Sequence, residues 1–187
     1  MAKLDEHLQK RRIAAALPWV PEGAHVLDVG CADGSLFTLA AGRIGSGVGI
    51  DPIGDATPPP VFADDRYEFR RGSFPASVQP GETFDAVVML AVVEHVPEPE
   101  LPDWADAVSR VLRPAGRLVI TTPSPYVDHI LHVGIRLRVL DGMEAHQHHG
   151  FDPKHVPAIF SVADMRLEKH RRFQLGLNNL FVFAKAP

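Results

Sequence analysis

The sequence predicts an α/β fold: a seven-stranded, mostly parallel sheet with helices on both faces and a C-terminal antiparallel hairpin. Three observations predict it. Apolar runs of strand length alternate with stretches of helical periodicity through most of the chain, the order expected of parallel strands joined by right-handed crossovers. The run Phe84-Asp85-Ala86-Val87-Val88-Met89-Leu90 is almost wholly apolar, as suits a strand covered on both faces. Near the end, 166–173 and 180–184 read as two strands joined by a short turn, which is a hairpin pattern.

The elements follow in order. Residues 4–16 bring Leu4, Leu8, Ile13 and Leu17 close to one stripe with charges between them, the pattern of an amphipathic helix. Pro18 and Pro21 end it, so 1–20 forms an N-terminal helical unit. A buried strand over 25–30 runs into Gly30, and a helix over 35–43 turns Leu36, Leu39 and Ala40 inward. Gly45, Gly47 and Gly49 thread a second strand, 47–51, which Asp51-Pro52 breaks. Gly54 and Pro58-Pro59-Pro60 make 52–65 a loop. A third strand covers 67–70, and 72–83 is turn-rich with room for one short helix. After the fourth strand, Leu101, Trp104, Ala105, Val108, Val111 and Leu112 recur at helical spacing over 99–112. Pro114-Ala115-Gly116 then turns the chain into a fifth strand, 117–122. Asp152-Pro153, a capping acid before a proline, starts a helix reaching 160. Between these lies 123–150, with an apolar helical stretch over 127–140 and a cluster of histidines. It is the candidate substrate lid of a single domain spanning 1–187.

The bulk properties narrow the classes. A chain of 187 residues can bury a core without disulfides or metals. Its net charge of −4 argues against nucleic acid as the main partner. Arg70-Arg71 and His170-Arg171-Arg172 read as solvated surface. Cys31 is the one cysteine, so neither an intramolecular disulfide nor a cysteine-built zinc site is available. The first twelve residues lack the apolar core of a signal peptide, and no apolar run approaches the ~20 residues of a membrane span. The expectation is a cytoplasmic monomer or homodimer without a membrane partner.

Ligands of such sheets sit beyond the carboxyl ends of the strands, where Gly30, Asp51, Gly72, Leu90 and Thr122 all fall. Gly30 and Gly34 supply a tight turn that lets backbone approach a ligand. Asp51 follows Gly30 at close to the ~20-residue spacing of a ribose-binding acid. A dinucleotide would need glycines at 30, 32 and 35, but Ala32 and Ser35 hold the last two. Asp28 and Asp33 would also repel a pyrophosphate. They suit a ligand bearing an ammonium and a sulfonium, and so favour S-adenosyl-L-methionine over NAD.

Val26-Leu27-Asp28-Val29-Gly30-Cys31-Ala32-Asp33-Gly34 resembles the first motif of class I S-adenosylmethionine-dependent methyltransferases, and Gly49-Ile50-Asp51 their second. Residues 84–90 followed by Val93-Glu94-His95-Val96 resemble the fourth, and 110–118 the helix-turn-strand after it. The resemblance runs in order from about residue 24 to 122, and is nearest to the small-molecule enzymes related to those of quinone biosynthesis. His149-Gly150-Phe151-Asp152-Pro153 resembles the segment before their late helix. The resemblance implies a Rossmann-like fold and methyl transfer to a small-molecule acceptor. It implies that Gly30, Cys31 and the turn through Asp33 and Gly34 hold the methionine part, with Asp28 orienting it. Asp51 would take the ribose hydroxyls, Ile53 would flank the adenine, and a carbonyl at Leu90 or Ala91 would accept from the ammonium. Three departures stand out: Ala32 for a glycine, Ser73 for an acid facing the adenine amine, and a proline-rich loop in place of a helix after the second strand.

Cys31 reads as a packing residue rather than a nucleophile. Glu94-His95 could serve acid–base chemistry but, as the family pattern after the fourth strand, reads as structural or cofactor-adjacent, with His95 kept as a catalytic candidate. His129, His132, His146, His148, His149 and His155 invite a metal reading, but no His-Glu-x-x-His pattern appears and no metal is expected. A histidine base is better motivated, because imidazole titrates near neutrality; His148 and His149, in the candidate lid, are the other two catalytic candidates. The competing reading is a non-catalytic module of the same fold that binds the cofactor or a protein partner.

Overall fold

Alternation along the central strands divides their side chains between two cores, and that division sets the architecture. A computed structural model describes residues 2–53, 66–124, 151–162 and 164–187. Helix α1 (Ala2–Ala16) is followed by β1 (His25–Val29), α2 (Ser35–Leu39), β2 (Ser46–Asp51), β3 (Tyr67–Arg71), β4 (Phe84–Leu90), α3 (Leu101–Val111), β5 (Leu112–Pro123), α4 (Val156–Phe160), β6 (Met165–Phe173) and β7 (Asn178–Lys185). The seven strands form one sheet in the order β3-β2-β1-β4-β5-β7-β6. The pairs β1–β2, β1–β4, β2–β3 and β4–β5 are parallel, whereas β7 runs antiparallel to both β5 and β6. The chain leaves β1 for β2 on one side and reaches β4 on the other, so the switch point lies between β1 and β4.

Val26, Ala86, Val88, Val119, Leu180 and Val182 pack with Ile13 and Ala16 of α1 and with Leu36 and Phe37 of α2. Their neighbours Leu27, Val29, Val87, Met89, Leu118, Ile120, Phe181 and Phe183 pack with Leu101, Ala105 and Val108 of α3 and with Val156 and Phe160 of α4. Each of the valine, leucine, isoleucine, methionine and phenylalanine side chains among them contributes roughly 1.5–3 kcal/mol by leaving water. With both faces covered, β4 can be apolar in nearly every position.

Several elements depart from the sequence-based expectation. The helix expected over 35–43 stops at Leu39, because Gly42 adopts φ 85° and turns the chain toward β2. In that short helix Phe37 is fully buried, while Leu39, expected inward, is 45% exposed. The helix expected over 99–112 is a 3-10 turn, Glu98–Glu100, followed by α3. Strand β5 starts at Leu112 rather than 117, and its pairing with β4 slips between Phe84 and Ala86. The expected helix to 160 likewise opens as a 3-10 turn, Pro153–His155, with Asp152 accepting from the Lys154 amide. Strand β6 is one edge of the sheet and is exposed from Arg166 to Arg172. The proline-rich stretch 54–65, the apolar stretch 127–140 and nearly all of the candidate lid, including His129, His132, His146, His148 and His149, lie outside the described residues. Among the described residues, no helix is long and apolar enough to cross a membrane.

Gly47 illustrates how tightly the α1/α2 core closes. A Cβ there would overlap the Phe37 ring and lie 2.9 Å from the Val26 carbonyl oxygen. Backbone on one side and a buried ring on the other leave little room to yield. Gly47→Ala is therefore expected to cost about 1–3 kcal/mol, read as a lower urea midpoint at unchanged slope.

Candidate functional site

Strand β1 delivers its last residues to a turn that only small residues can make. Gly30 sits at φ 74° and Gly34 at φ 73°, and Ala32 between them is held at φ 46°. A side chain at Gly30 would also meet Val92, whose Cγ2 lies 2.5 Å from the position a Cβ would take. The amides of Gly30 and Cys31 both donate to the Ile50 carbonyl, at 2.8 and 3.3 Å, so the turn is anchored on β2. Ala32 carries backbone strain of order 1–2 kcal/mol that glycine would avoid.

Asp51, at the end of β2, ties the turn to the chain beyond it. Its Oδ2 accepts from the Ala32 amide at 2.9 Å and its Oδ1 from the Ile53 amide at 2.8 Å. Its carbonyl accepts from the Gly72 amide at 3.0 Å, which brings the exit of β3 alongside. Ser73 follows, exposed, with its carbonyl accepting from the Ser77 amide. Ile53 is 88% exposed, an apolar side chain standing in solvent beside this edge.

The three acids do not share one environment. Asp28 is buried, and burial, reinforced by the nearby charges of Asp51 and Asp33, raises its pKa well above the ordinary carboxylate value. Its negative charge is thus costly until a cation arrives. Asp33 is exposed; it accepts from the Ser35 amide at 3.1 Å and from Gln9 of α1 at 3.2 Å. Cys31 is buried, and burial followed by the charges of Asp28 and Asp51 pushes its thiol up to about 12. It stays protonated and packs where a Gly49 side chain would otherwise lie, its Sγ 2.8 Å from that Cβ position. The packing role expected of Cys31 agrees with this geometry.

The other wall comes from β4 and β5. Leu90 and Ala91 are half-buried, Ala91 at φ 59° with its amide donating to the Thr121 carbonyl at 2.8 Å. The following 3-10 turn, Val93–His95, separates the two residues that the sequence presents as a pair. Glu94 points inward at 3% exposure, and His95 is exposed. The burial of Glu94 is invisible in the sequence, because its neighbour is equally polar and one turn decides which of them faces the core. Further along this edge, Asn178 accepts from Arg12 at 3.2 Å and Asn179 donates to Ser124 at 3.1 Å. The structure therefore brings the residues of 28–34, Asp51, Ile53, Ser73, Leu90, Ala91 and His95 to one edge of the sheet, while His148 and His149 lie outside the described residues. No group of three His, Cys, Asp or Glu side chains among the described residues is placed to hold a metal.

This edge can bind an elongated ligand with a cationic end over Asp28 and a hydroxyl-bearing part at Asp51. Comparison with known proteins points the same way. A family described as a methyltransferase domain matches residues 1–170. The mitochondrial ubiquinone biosynthesis O-methyltransferase of Bos taurus is 41% identical over 123 residues, covering 60% of this chain and 32% of that protein. The ubiquinone biosynthesis O-methyltransferase of Rhizobium etli is 34% identical over 105 residues, covering 54% of this chain and 42% of that protein. The matches thus span less than half the length of these curated relatives. The Burkholderia thailandensis 1,6-didemethyltoxoflavin-N1-methyltransferase, solved with 1,6-didemethyltoxoflavin and S-adenosylhomocysteine, superposes with a TM-score of 0.71 at 16% identity, over 100% of this chain and 81% of that one. At that identity the likeness establishes the fold.

The buried Asp28 has a consequence for stability. Its folded pKa is raised, so its ionisation destabilises the fold progressively as pH rises from the unfolded carboxylate value toward the folded one. Asp28→Asn is expected to raise the melting temperature at pH 8 and to leave it little changed at pH 4, as scanning calorimetry in the absence of ligand would record.

Proposed function

The chain belongs to the methyltransferase-domain family, and from that premise we propose that it transfers the methyl group of S-adenosyl-L-methionine to a hydroxyl oxygen of a small aromatic acceptor related to quinone precursors. The observation that carries the donor assignment is the pairing of the buried Asp28 with the amide-bound Asp51 on one sheet edge. Asp28, costly to ionise alone, gains an ammonium or sulfonium neighbour. Asp51, held by those two amides at the strand ends, presents its carboxylate as acceptor to the ribose hydroxyls. Ile53 supplies an exposed apolar surface for the adenine, and Ser73 a hydroxyl beside it. A carbonyl at Leu90 or Ala91 accepts from the ammonium. Gly30, Cys31, Asp33 and Gly34 give the methionine part its close backbone contact. Oxygen as the acceptor atom rests on the O-methyltransferases among the relatives.

Bound S-adenosylmethionine supplies an electrophilic methyl on a positively charged sulfur. The chain's own contribution is alignment: a rigid turn anchored on Ile50 and Asp51 fixes the donor, so that an acceptor held at the ends of β4 and β5 meets the methyl in line. His95, His148 and His149 remain the candidate histidine bases, and 123–150 the candidate cover of a single-domain enzyme.

Two measurements test the donor assignment. S-adenosylhomocysteine should bind in calorimetry, and Asp51→Ala should weaken it at least tenfold; equal affinity in the variant would move the ribose elsewhere. S-adenosylmethionine binding should also release protons into buffer at any pH where Asp28 is still protonated in the free protein, because a cation beside Asp28 lowers its raised pKa. Affinity should therefore climb with pH until Asp28 is ionised in the free protein.

A further inference from the structure

Resting on the donor reading above, we propose that Arg70 is the positioning residue for the adenosine end of S-adenosylmethionine, acting through the loop that follows β3. Arg70-Arg71 reads as solvated surface in the sequence, yet only Arg71 is exposed; the Arg70 side chain is 12% exposed. All five of its N–H donors are used. Nε and Nη2 donate to Glu68 at 2.7 and 2.8 Å. Nη1 and Nη2 donate to Glu82 at 2.7 and 2.6 Å, and Nη1 also donates to the Ser77 carbonyl at 3.2 Å. Glu68 stands two residues back on the same face of β3, whereas Ser77 and Glu82 belong to the loop 72–83. One guanidinium therefore fastens the middle and the end of that loop to the strand before it.

The start of the same loop borders the donor site. The Gly72 amide donates to the Asp51 carbonyl at 3.0 Å, so a base carried by a ribose at Asp51 meets the exits of β2 and β3, beside Ser73. From there the loop closes on itself. The Ser77 amide donates to the Ser73 carbonyl at 3.0 Å, and a Cβ at Gly72 would overlap Ser77 Oγ. Phe74 is buried edge-on against Trp104, with ring centroids 5.1 Å apart. Ser77 is the link between clamp and site: Arg70 grips its carbonyl, while its amide and hydroxyl pack on Ser73 and Gly72. Without the guanidinium, Glu68 and Glu82 would face one another as like charges, which disfavours the closed loop. An isolated surface ion pair contributes little, but this cation is forked onto two carboxylates and a carbonyl. Lysine cannot reproduce that fork.

The test is calorimetric binding of S-adenosylhomocysteine and of 5′-methylthioadenosine, which keeps the adenosine end without the amino acid, to the full chain and its variants. Arg70→Met should bind S-adenosylhomocysteine about tenfold more weakly than wild type, the loss of roughly one well-placed hydrogen bond. It should lose the same factor for 5′-methylthioadenosine; a loss confined to S-adenosylhomocysteine would place the effect at the methionine end and overturn the proposal. Arg70→Lys, the gentler change, should weaken both ligands as well, and full affinity in it would reduce Arg70 to a charge and overturn the clamp. Lys185→Met is the stability control: Lys185 donates to the Ser109 and Leu112 carbonyls at the opposite end of the sheet. It should keep wild-type affinity whatever happens to its melting temperature, and equal weakening in it would make the Arg70 effect one of general stability. Wild-type affinity in Arg70→Met would overturn the proposal and leave the donor reading standing. Binding of neither ligand by wild type would defeat the donor reading, and the role of Arg70 with it.

Discussion

One carboxylate holds the working edge of the sheet together. Asp51 accepts from amides on both sides of it, one in the turn after β1 and one in the chain leaving β2. Through its carbonyl it also receives the exit of β3. Three consecutive strand ends are thereby fixed relative to one another by short, partly charge-assisted hydrogen bonds. The tight turn at Gly30, the packing of Cys31 on Gly49 and the position of Asp28 all presuppose that geometry. The residue that organises the loop is thus the same one proposed to receive the ribose.

Charge along this edge is graded by burial rather than by residue type. Asp33, at the surface, spends its carboxylate on the start of α2 and on Gln9. Asp51 is intermediate, and Asp28 is shut in where ionisation is disfavoured. Reading Asp28 and Asp33 together as a pair that repels anions captures the sign of the site but not its mechanism. A buried acid is a site that waits for a cation, and its own instability favours binding one. Glu94, on the turn after β4, repeats the arrangement: burial raises its pKa to about 7.

Much of this was legible in the amino-acid order because strand parity and glycine placement are local rules. The apolar run of β4, the periodicity of α3 and the separation of Gly30 from Asp51 each follow from spacing alone, and all reappear in three dimensions. Where the reading missed, a tertiary choice had overridden a local preference. Gly42 ended α2 early and rotated Leu39 into solvent. Leu112 joined β5 because Phe84 offered a pairing partner before the turn at Ala115. Glu94 and His95 are adjacent and equally polar, so their opposite fates depend on how one 3-10 turn meets the core. The strain at Ala32 was hidden because alanine looks like a mild change from glycine until its φ is known.

The β6 edge of the sheet has its own consequence. Strand β6 presents Arg166, Lys169, Arg171 and Arg172 to solvent, and its pairing with β7 shifts register between Leu167 and Lys169. A second copy laid against it in antiparallel fashion would confront those cations with a like set, while the irregular stretch denies it a regular ladder. Like charges and bulges of this kind are how natural sheets discourage edge-to-edge growth. The strand that completes the fold thereby also guards its own edge against fibrous self-assembly, and neutralising its lysine and arginines would trade solubility for stickiness.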